Sequence, residues 1–271
     1  MKVNSKIVLA FMAVLVCIVF VSVIFAEEFP YRKDFPNLNY ISSSELKAKY
    51  DKNEVIVVDV RSKIEYDVSH IEKAVHIPIA YATFIPDVEK LIKESPKKPI
   101  VFYCNGTTCL KSYEAAKRLT EAGHKNSFVY DGGIPEWTKL YPKNTIVFEK
   151  ELRDPEKQLI SDAEFKKRLI DFETFKAKAA MPNTMVIDLR EGIQSSGKLP
   201  GLENARNMPL DVIIPNFVLK KEGKDNTLLV FDQVGKQVKW LMYYLRDNGY
   251  KNYYFLDKEG ATSVLKQQKY K

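Results

Sequence analysis

The stretch Val101–Ser112, VFYCNGTTCLKS, sets two cysteines five positions apart, between an apolar run and a segment with helical spacing. Ile100–Tyr103 shows no polar alternation, as expected of a strand buried on both faces. Beyond the cysteines, Ala115, Ala116, Leu119 and Ala122 fall on one helical face, and Gly123 stops the helix. A cysteine between a parallel strand and a helix gains from converging loop N–H groups and from the positive end of the helix dipole. Both lower a thiol pKa and keep a thiolate available near neutral pH. Cys104 is therefore the candidate nucleophile. Asn105, Gly106, Thr107 and Thr108 form the cup around it, and Lys111 with Ser112 adds a cation and a hydroxyl at the far edge. Such a cup suits a thiolate, a persulfide or an oxyanion. For Cys109 three readings stand open: a resolving thiol, half of a resting disulfide, or a small residue packed at the helix start.

Working outward, the chain repeats itself. YISSSELKAKY from Tyr40 matches LISDAEFKKRL from Leu159, VVDVR (Val57–Arg61) matches VIDLR (Val186–Arg190), and AVHIP (Ala74–Pro78) matches ARNMP (Ala205–Pro209). IVFYC (Ile100–Cys104) then matches LLVFD (Leu228–Asp232), and the stretch from Leu119 matches that from Leu245; the offsets stay between 119 and 131. Constant order at near-constant offset indicates a duplication into two domains of similar size. In each copy, short Val- and Ile-rich runs alternate with helical stretches such as Val238, Leu241, Met242 and Leu245, stopped by Gly249. That alternation predicts parallel α/β domains with ligand sites beyond the carboxyl ends of the strands. Residues 139–158, rich in charge and proline, read as a linker, and EEFPYRKDFPNLN (27–39) reads as the lead into the first domain.

The first 26 residues differ from the rest. Lys2 and Lys6 precede an uncharged run over residues 7–26, followed by Glu27 and Glu28, the pattern of an export signal. Twenty apolar residues also suffice to span a bilayer, so the alternatives are a cleaved signal and an N-terminal membrane anchor. Cys17 lies inside that run as an apolar filler, which leaves Cys104 and Cys109 in the exported part. Outside the cytoplasm disulfides persist, but a bridge across so short a loop adds little stability by chain entropy. Two thiols kept this close point to chemistry. The net charge of +7 comes from scattered lysines and favours small anionic substrates at most.

Several spaced motifs in order carry a resemblance to the rhodanese sulfurtransferase family: VVDVR, HIEKAVHIP (His70–Pro78), Tyr103–Cys104 and GGIPEW (Gly132–Trp137). Both copies look like rhodanese domains, and the likeness covers nearly the whole exported part. The expected fold is thus α/β: two tandem rhodanese-like domains at 38–142 and 157–271, each a parallel sheet flanked by helices, after a hydrophobic export segment at 1–26. The resemblance implies that Cys104 takes sulfane sulfur from a small anion such as thiosulfate or polysulfide. The resulting persulfide would pass its sulfur to a thiol, cyanide or protein acceptor, in the periplasm or at the cell surface. The usual family loop runs CxxxxRS, whereas CNGTTCLKS is two residues longer, with Lys111 at the arginine. Lysine lacks the planar fork that grips an oxyanion in two places. The second loop, Asp232–Val238, has the usual length but puts Asp232 at the cysteine, Gln237 at the arginine and Val238 at the serine, so that domain is expected to be silent.

Asp59 with Arg61, and Asp188 with Arg190, recur in the silent copy and are expected to pair structurally. His70 and His76 read as hydrogen-bonded loop residues and His124 as a surface residue. Three histidines and two exported cysteines give no zinc pattern, so no metal is expected, and no nucleotide fingerprint or nucleic-acid partner is indicated. No cofactor is required. Two other function classes remain beside the transferase: a non-catalytic scaffold of rhodanese fold, and a thiol–disulfide oxidoreductase using Cys104 and Cys109. A phosphatase like the related Cdc25 group is disfavoured by the missing arginine.

Overall fold

The computed structural model describes residues 29–191, 197–257 and 260–269. The export segment at 1–26 and its apolar run at 7–26 lie outside the described residues. No described helix is long and apolar enough to cross a membrane. The chain divides into two compact units between Glu151 and Leu152.

In the first unit the order is α1 (Ser43–Asp51), β1 (Ile56–Asp59), α2 (Lys63–Val68), β2 (Ser69–Ile71), β3 (Val75–His76), α3 (Phe84–Glu94), β4 (Ile100–Tyr103), α4 (Lys111–Glu121), β5 (Ser127–Tyr130) and α5 (Gly133–Leu140). Strands β3, β1, β4 and β5 lie side by side in that order, all parallel. A parallel bridge from Tyr40 to Val129 continues the sheet beyond β5. All four residues of β4 are buried, because helices cover both faces of a parallel sheet. Helix α4 buries Ser112, Tyr113, Ala115, Ala116 and Leu119, whereas Ala122, expected on that face, is exposed at its end. Its last turn closes with Gly123 N–H on Thr120 O and His124 N–H on Leu119 O, the paired bonds of a Schellman stop. Ser42 with Glu45, and Ser62 with Glu65, form capping boxes at the starts of α1 and α2.

Two segments expected to be linkers are parts of the fold. Residues 29–39 lie against α4, where Tyr31, Phe35 and Tyr40 surround the Tyr113 ring at centroid distances of 6.0, 5.3 and 6.0 Å. Arg32 donates from Nε and Nη2 to the two oxygens of buried Asp131 at 2.8 and 2.9 Å, and Tyr113 Oη donates to the same carboxylate at 2.9 Å. The aromatic residues among the charges were the missed signal. Arg32→Ala should leave Asp131 short of a partner and lower stability by about 2 kcal/mol, a figure for removal of a charged hydrogen-bond partner. Urea unfolding of the full chain measures it, with Arg32→Lys recovering only part because it lacks the fork.

The other segment, within 139–158, returns to the first unit. Its strand β6 (Thr145–Val147) pairs antiparallel with β2 and with β7 (Lys150–Glu151). Thr145 and Val147 are buried while Ile146 is half-buried, so a short alternating strand sits inside the charged stretch. Trp137, fully buried, ties α5 to this return by donating from Nε1 to Asn144 O at 3.0 Å.

The second unit runs α6 (Pro155–Gln158), α7 (Asp162–Lys166), β8 (Leu169–Ile170), α8 (Phe172–Ala179), β9 (Thr184–Asp188), β10 (Arg206–Asn207), α9 (Leu210–Ile213), β11 (Thr227–Phe231), α10 (Gln237–Asp247), β12 (Tyr253–Leu256) and α11 (Ala261–Lys269). Its sheet order is β10-β9-β11-β12-β8, all parallel. This order follows the first sheet strand for strand, with β8 at the place of the Tyr40 bridge. Val238, Leu241, Met242 and Leu245 are all buried on α10, as their spacing predicts.

Candidate active site

In the first unit, Asp59, Tyr103 and Tyr130 stand in register at the carboxyl ends of β1, β4 and β5. The chain then turns into the loop between β4 and α4. Cys104 is buried at 1% exposure, and its carbonyl accepts from Ile134 N–H at 3.0 Å. Gly133, at φ +60°, sits so close that a Cβ there would meet Cys104 O and the Gly106 backbone. The GG of the closing motif is thus fixed by the near approach of this loop to the start of α5.

Cys104 and Cys109 are joined as a disulfide, with their Cα atoms 6.3 Å apart, inside the usual range. Cys109 N–H donates to Gly106 O at 2.9 Å and closes the turn between them. Cys109 also packs against the core cluster that includes Tyr113, Ala115 and Ala116 of α4. Gly106 is buried, Thr107 half-buried and Thr108 exposed.

Three predicted cup residues are placed differently from expectation. Asn105 turns its side chain sideways: Oδ1 accepts from Arg61 Nη1 at 3.2 Å, and Nδ2 donates to Glu65 Oε1 at 2.5 Å. Lys111, expected as an open cation, lies 3.5 Å from Glu65 Oε2. Ser112 is buried at 1% exposure in the first turn of α4 instead of lining an edge. For Asn105 and Lys111 the physical reason is Glu65, a side chain that the sequence reading overlooked. Its carboxylate accepts from Ser62 N–H at 3.0 Å as a cap, and it also reaches both ends of the cysteine loop. The signal was the SKIE capping box just past VVDVR.

Arg61 is fully buried and grips Asp59, from Nε at 3.0 Å and from Nη2 at 2.6 Å, while Nη2 also donates to Ser69 O at 2.6 Å. Burial opposes its charge, but the Asp59 carboxylate outweighs that and raises the guanidinium pKa. The structural pairing expected of VVDVR is thus present, and Arg61 also steadies the loop through Asn105. For Glu65, burial opposes ionisation, yet Lys111 and Arg61 together hold its pKa below the ordinary carboxylate value. A depressed carboxylate stabilises the fold above its unfolded pKa of about 4.3 and loses that effect as pH falls through the folded value. The melting-temperature difference between wild type and Glu65→Gln should therefore be largest near neutrality and shrink below about pH 4.

The second unit shows the same loop without a thiol. Asp232 Oδ1 accepts from the N–H groups of Val234, at 2.9 Å, and of Gly235. Its Oδ2 accepts from Gln237, at 2.5 Å, and Val238, at 3.1 Å, the first residues of α10. The carboxylate fills a cup of converging N–H groups at a helix start, where an anion is favoured. Arg190 grips Asp188 as Arg61 grips Asp59, from Nε at 2.9 Å and Nη2 at 2.7 Å. Gln233 stands at the place of Asn105, but Arg190 Nη1 and Gln233 Oε1 both lack a partner among the described residues, and no described bond joins this arginine to its loop.

The histidines are hydrogen-bonded, although His70 and His76 lie on β2 and β3 and not in loops. His70 Nδ1 meets Tyr66 O at 2.8 Å and His76 Nε2 meets Arg61 O at 3.0 Å, with the Tyr66 ring stacked on both. Burial lowers the His70 pKa. His124 pairs with Glu89 at 3.1 Å. Among the described residues no group of three or more histidine, cysteine, aspartate or glutamate side chains could hold a metal ion.

Part of the chain matches known proteins. The family profile described as Rhodanese-like domain matches residues 42–140. The tRNA uridine(34) hydroxylase of Sodalis glossinidius is 29% identical over 102 residues, covering 37% of this chain and 28% of that protein. That of Erwinia tasmaniensis is 29% identical over 101 residues, with the same coverage of 37% and 28%. The match thus spans under a third of the length of these relatives. Among solved structures, a Bacillus halodurans protein is 27% identical at a TM-score of 0.36, covering 46% of this chain and 89% of that one. The rhodanese-like domain of an Anabaena protein is 22% identical at a TM-score of 0.33, covering 43% and 83%.

Proposed function

Residues 42–140 are a rhodanese-like domain, and from that premise we propose that the chain accepts sulfane sulfur at Cys104 and releases it with the help of Cys109. The observation that carries the reading is the pairing of these two sulfurs in the loop between β4 and α4. Reduction of the disulfide frees the Cys104 thiolate, which attacks the outer sulfur of a donor such as thiosulfate. A persulfide forms on Cys104 and sulfite leaves. An external thiol or cyanide can then take the outer sulfur and restore the Cys104 thiolate. Alternatively, the Cys109 thiolate attacks the inner sulfur of Cys104, the disulfide reforms, and hydrosulfide leaves. The second route is a thiol–disulfide cycle that consumes two electrons, from two external thiols or one dithiol, per sulfur released.

The second unit carries no thiol at the equivalent place and fits a supporting or partner-binding role. The apolar run at 7–26 supports placement outside the cytoplasm, secreted or anchored. Hydroxylation, the activity in the relatives' names, is not proposed, since the match covers 28% of those proteins. The test is to reduce the purified chain, offer thiosulfate, polysulfide or a thiol persulfide, and weigh the Cys104 peptide. One added sulfur is expected; no addition from any donor, with no thiocyanate from cyanide, rejects the reading in favour of a scaffold.

A further inference from the structure

Glu65 touches both ends of the cysteine loop. One oxygen meets Asn105, the residue after Cys104, at 2.5 Å, and the other faces Lys111, the first residue of α4, at 3.5 Å. Its side chain is 10% exposed and that of Lys111 47%, so the carboxylate is fixed beneath a partly solvated ammonium. Arg61, the other cation joined to the loop, already pairs with Asp59 at 2.6 Å. Charges along this flank therefore balance: Asp59 and Glu65 against Arg61 and Lys111.

From this balance we propose that Glu65 sets donor specificity, making the site select low-charge sulfane donors, namely thiol persulfides, over the dianion thiosulfate. The inference rests on the sulfur-transfer reading above. Thiosulfate brings two negative charges and, after transfer, must leave as sulfite, also an anion. A site that stabilises it needs net positive charge beside the loop N–H groups. Here the one cation at the loop's far end is already engaged by a carboxylate that also reaches its near end. A thiol persulfide needs less. In its transfer the Cys104 thiolate attacks the outer sulfur, the S–S bond breaks, and the remaining thiolate departs with a single charge.

The residue acts on charge through Lys111 and Asn105, so it is a positioning residue, and its test separates charge from scaffold. Glu65→Gln keeps a side chain able to cap Ser62 but removes the negative charge. In steady-state assays of the full chain, kcat/KM for thiosulfate should rise about tenfold, the order of one charge's effect at a partly screened site. With cysteine persulfide as donor, the change should stay within about twofold. Equal changes for both donors, or a fall for thiosulfate alone, would overturn the proposal. Should the variant fail to fold, the wild type decides: the persulfide should be preferred by about a hundredfold in kcat/KM, and parity or a thiosulfate preference rejects the idea. If wild-type Cys104 loads from no donor, sulfur transfer itself fails; if it loads but the donor ratio is flat, only the role of Glu65 fails.

Discussion

Cys104→Ser should lower sulfur uptake by roughly a thousandfold or more, because a hydroxyl at that place is neither ionised near neutrality nor able to hold a sulfane sulfur. Cys109→Ser should behave differently. Uptake should persist, while hydrosulfide release without added acceptor should fall to a level that only external thiol restores. Sulfide-electrode measurements on the full chain, with mass analysis of the Cys104 peptide, distinguish the two variants. If Cys109→Ser releases sulfide as fast as wild type, Cys109 takes no part in turnover. If Cys104→Ser loads sulfur, the nucleophile lies elsewhere.

Asp232→Ala should strongly destabilise the second unit. Its carboxylate accepts from four backbone N–H groups, those of Val234, Gly235, Gln237 and Val238. Leaving buried donors without an acceptor costs about 1–3 kcal/mol each before water or relaxation offsets it, so a net loss of about 3 kcal/mol is expected. Emptying the cup should also create an anion site. Sulfate at millimolar concentration should therefore raise the melting temperature of Asp232→Ala more than that of the wild type, by linkage. An unchanged stability, or no differential effect of sulfate, would show that the carboxylate does not organise the loop.

The sheet and the loop were legible because both follow from patterns that local sequence expresses. Buried parallel strands read as unbroken apolar runs, and Ile100–Tyr103 and Leu228–Phe231 stand where those runs place them. The duplication anticipated the strand order, since the VVDVR, AVHIP and IVFYC matches fall on corresponding strands; the match of YISSSELKAKY to LISDAEFKKRL does not, because that stretch lies on α7, whereas the helix that follows β8 as α1 follows the Tyr40 bridge is α8. Asp232 in a cup of N–H groups followed from substituting a carboxylate at the thiol position. What was not legible depended on contacts across long sequence separation. Arg32 meets Asp131 ninety-nine residues away, and Asn105 meets Glu65 forty away, so neither shows in a periodicity. The charged stretch at 139–158 hid β6 because three residues of alternation are too short to rise above their flanks. Lys111 was read as a cation at the edge of the cup because its partner, Glu65, stands forty-six residues earlier in the sequence.

Burial is unequal across the Cys104–Cys109 bond: Cys104 is 1% exposed, whereas Cys109 is only half-buried. An attacking thiolate must approach along the line of the bond it breaks, and Cys109 is the more exposed residue of the pair. The first exchange is therefore expected to join the reductant to Cys109 and release Cys104 as the departing thiolate. Reduction would then begin at Cys109, and a second thiol would have to clear that residue before it could act on a Cys104 persulfide.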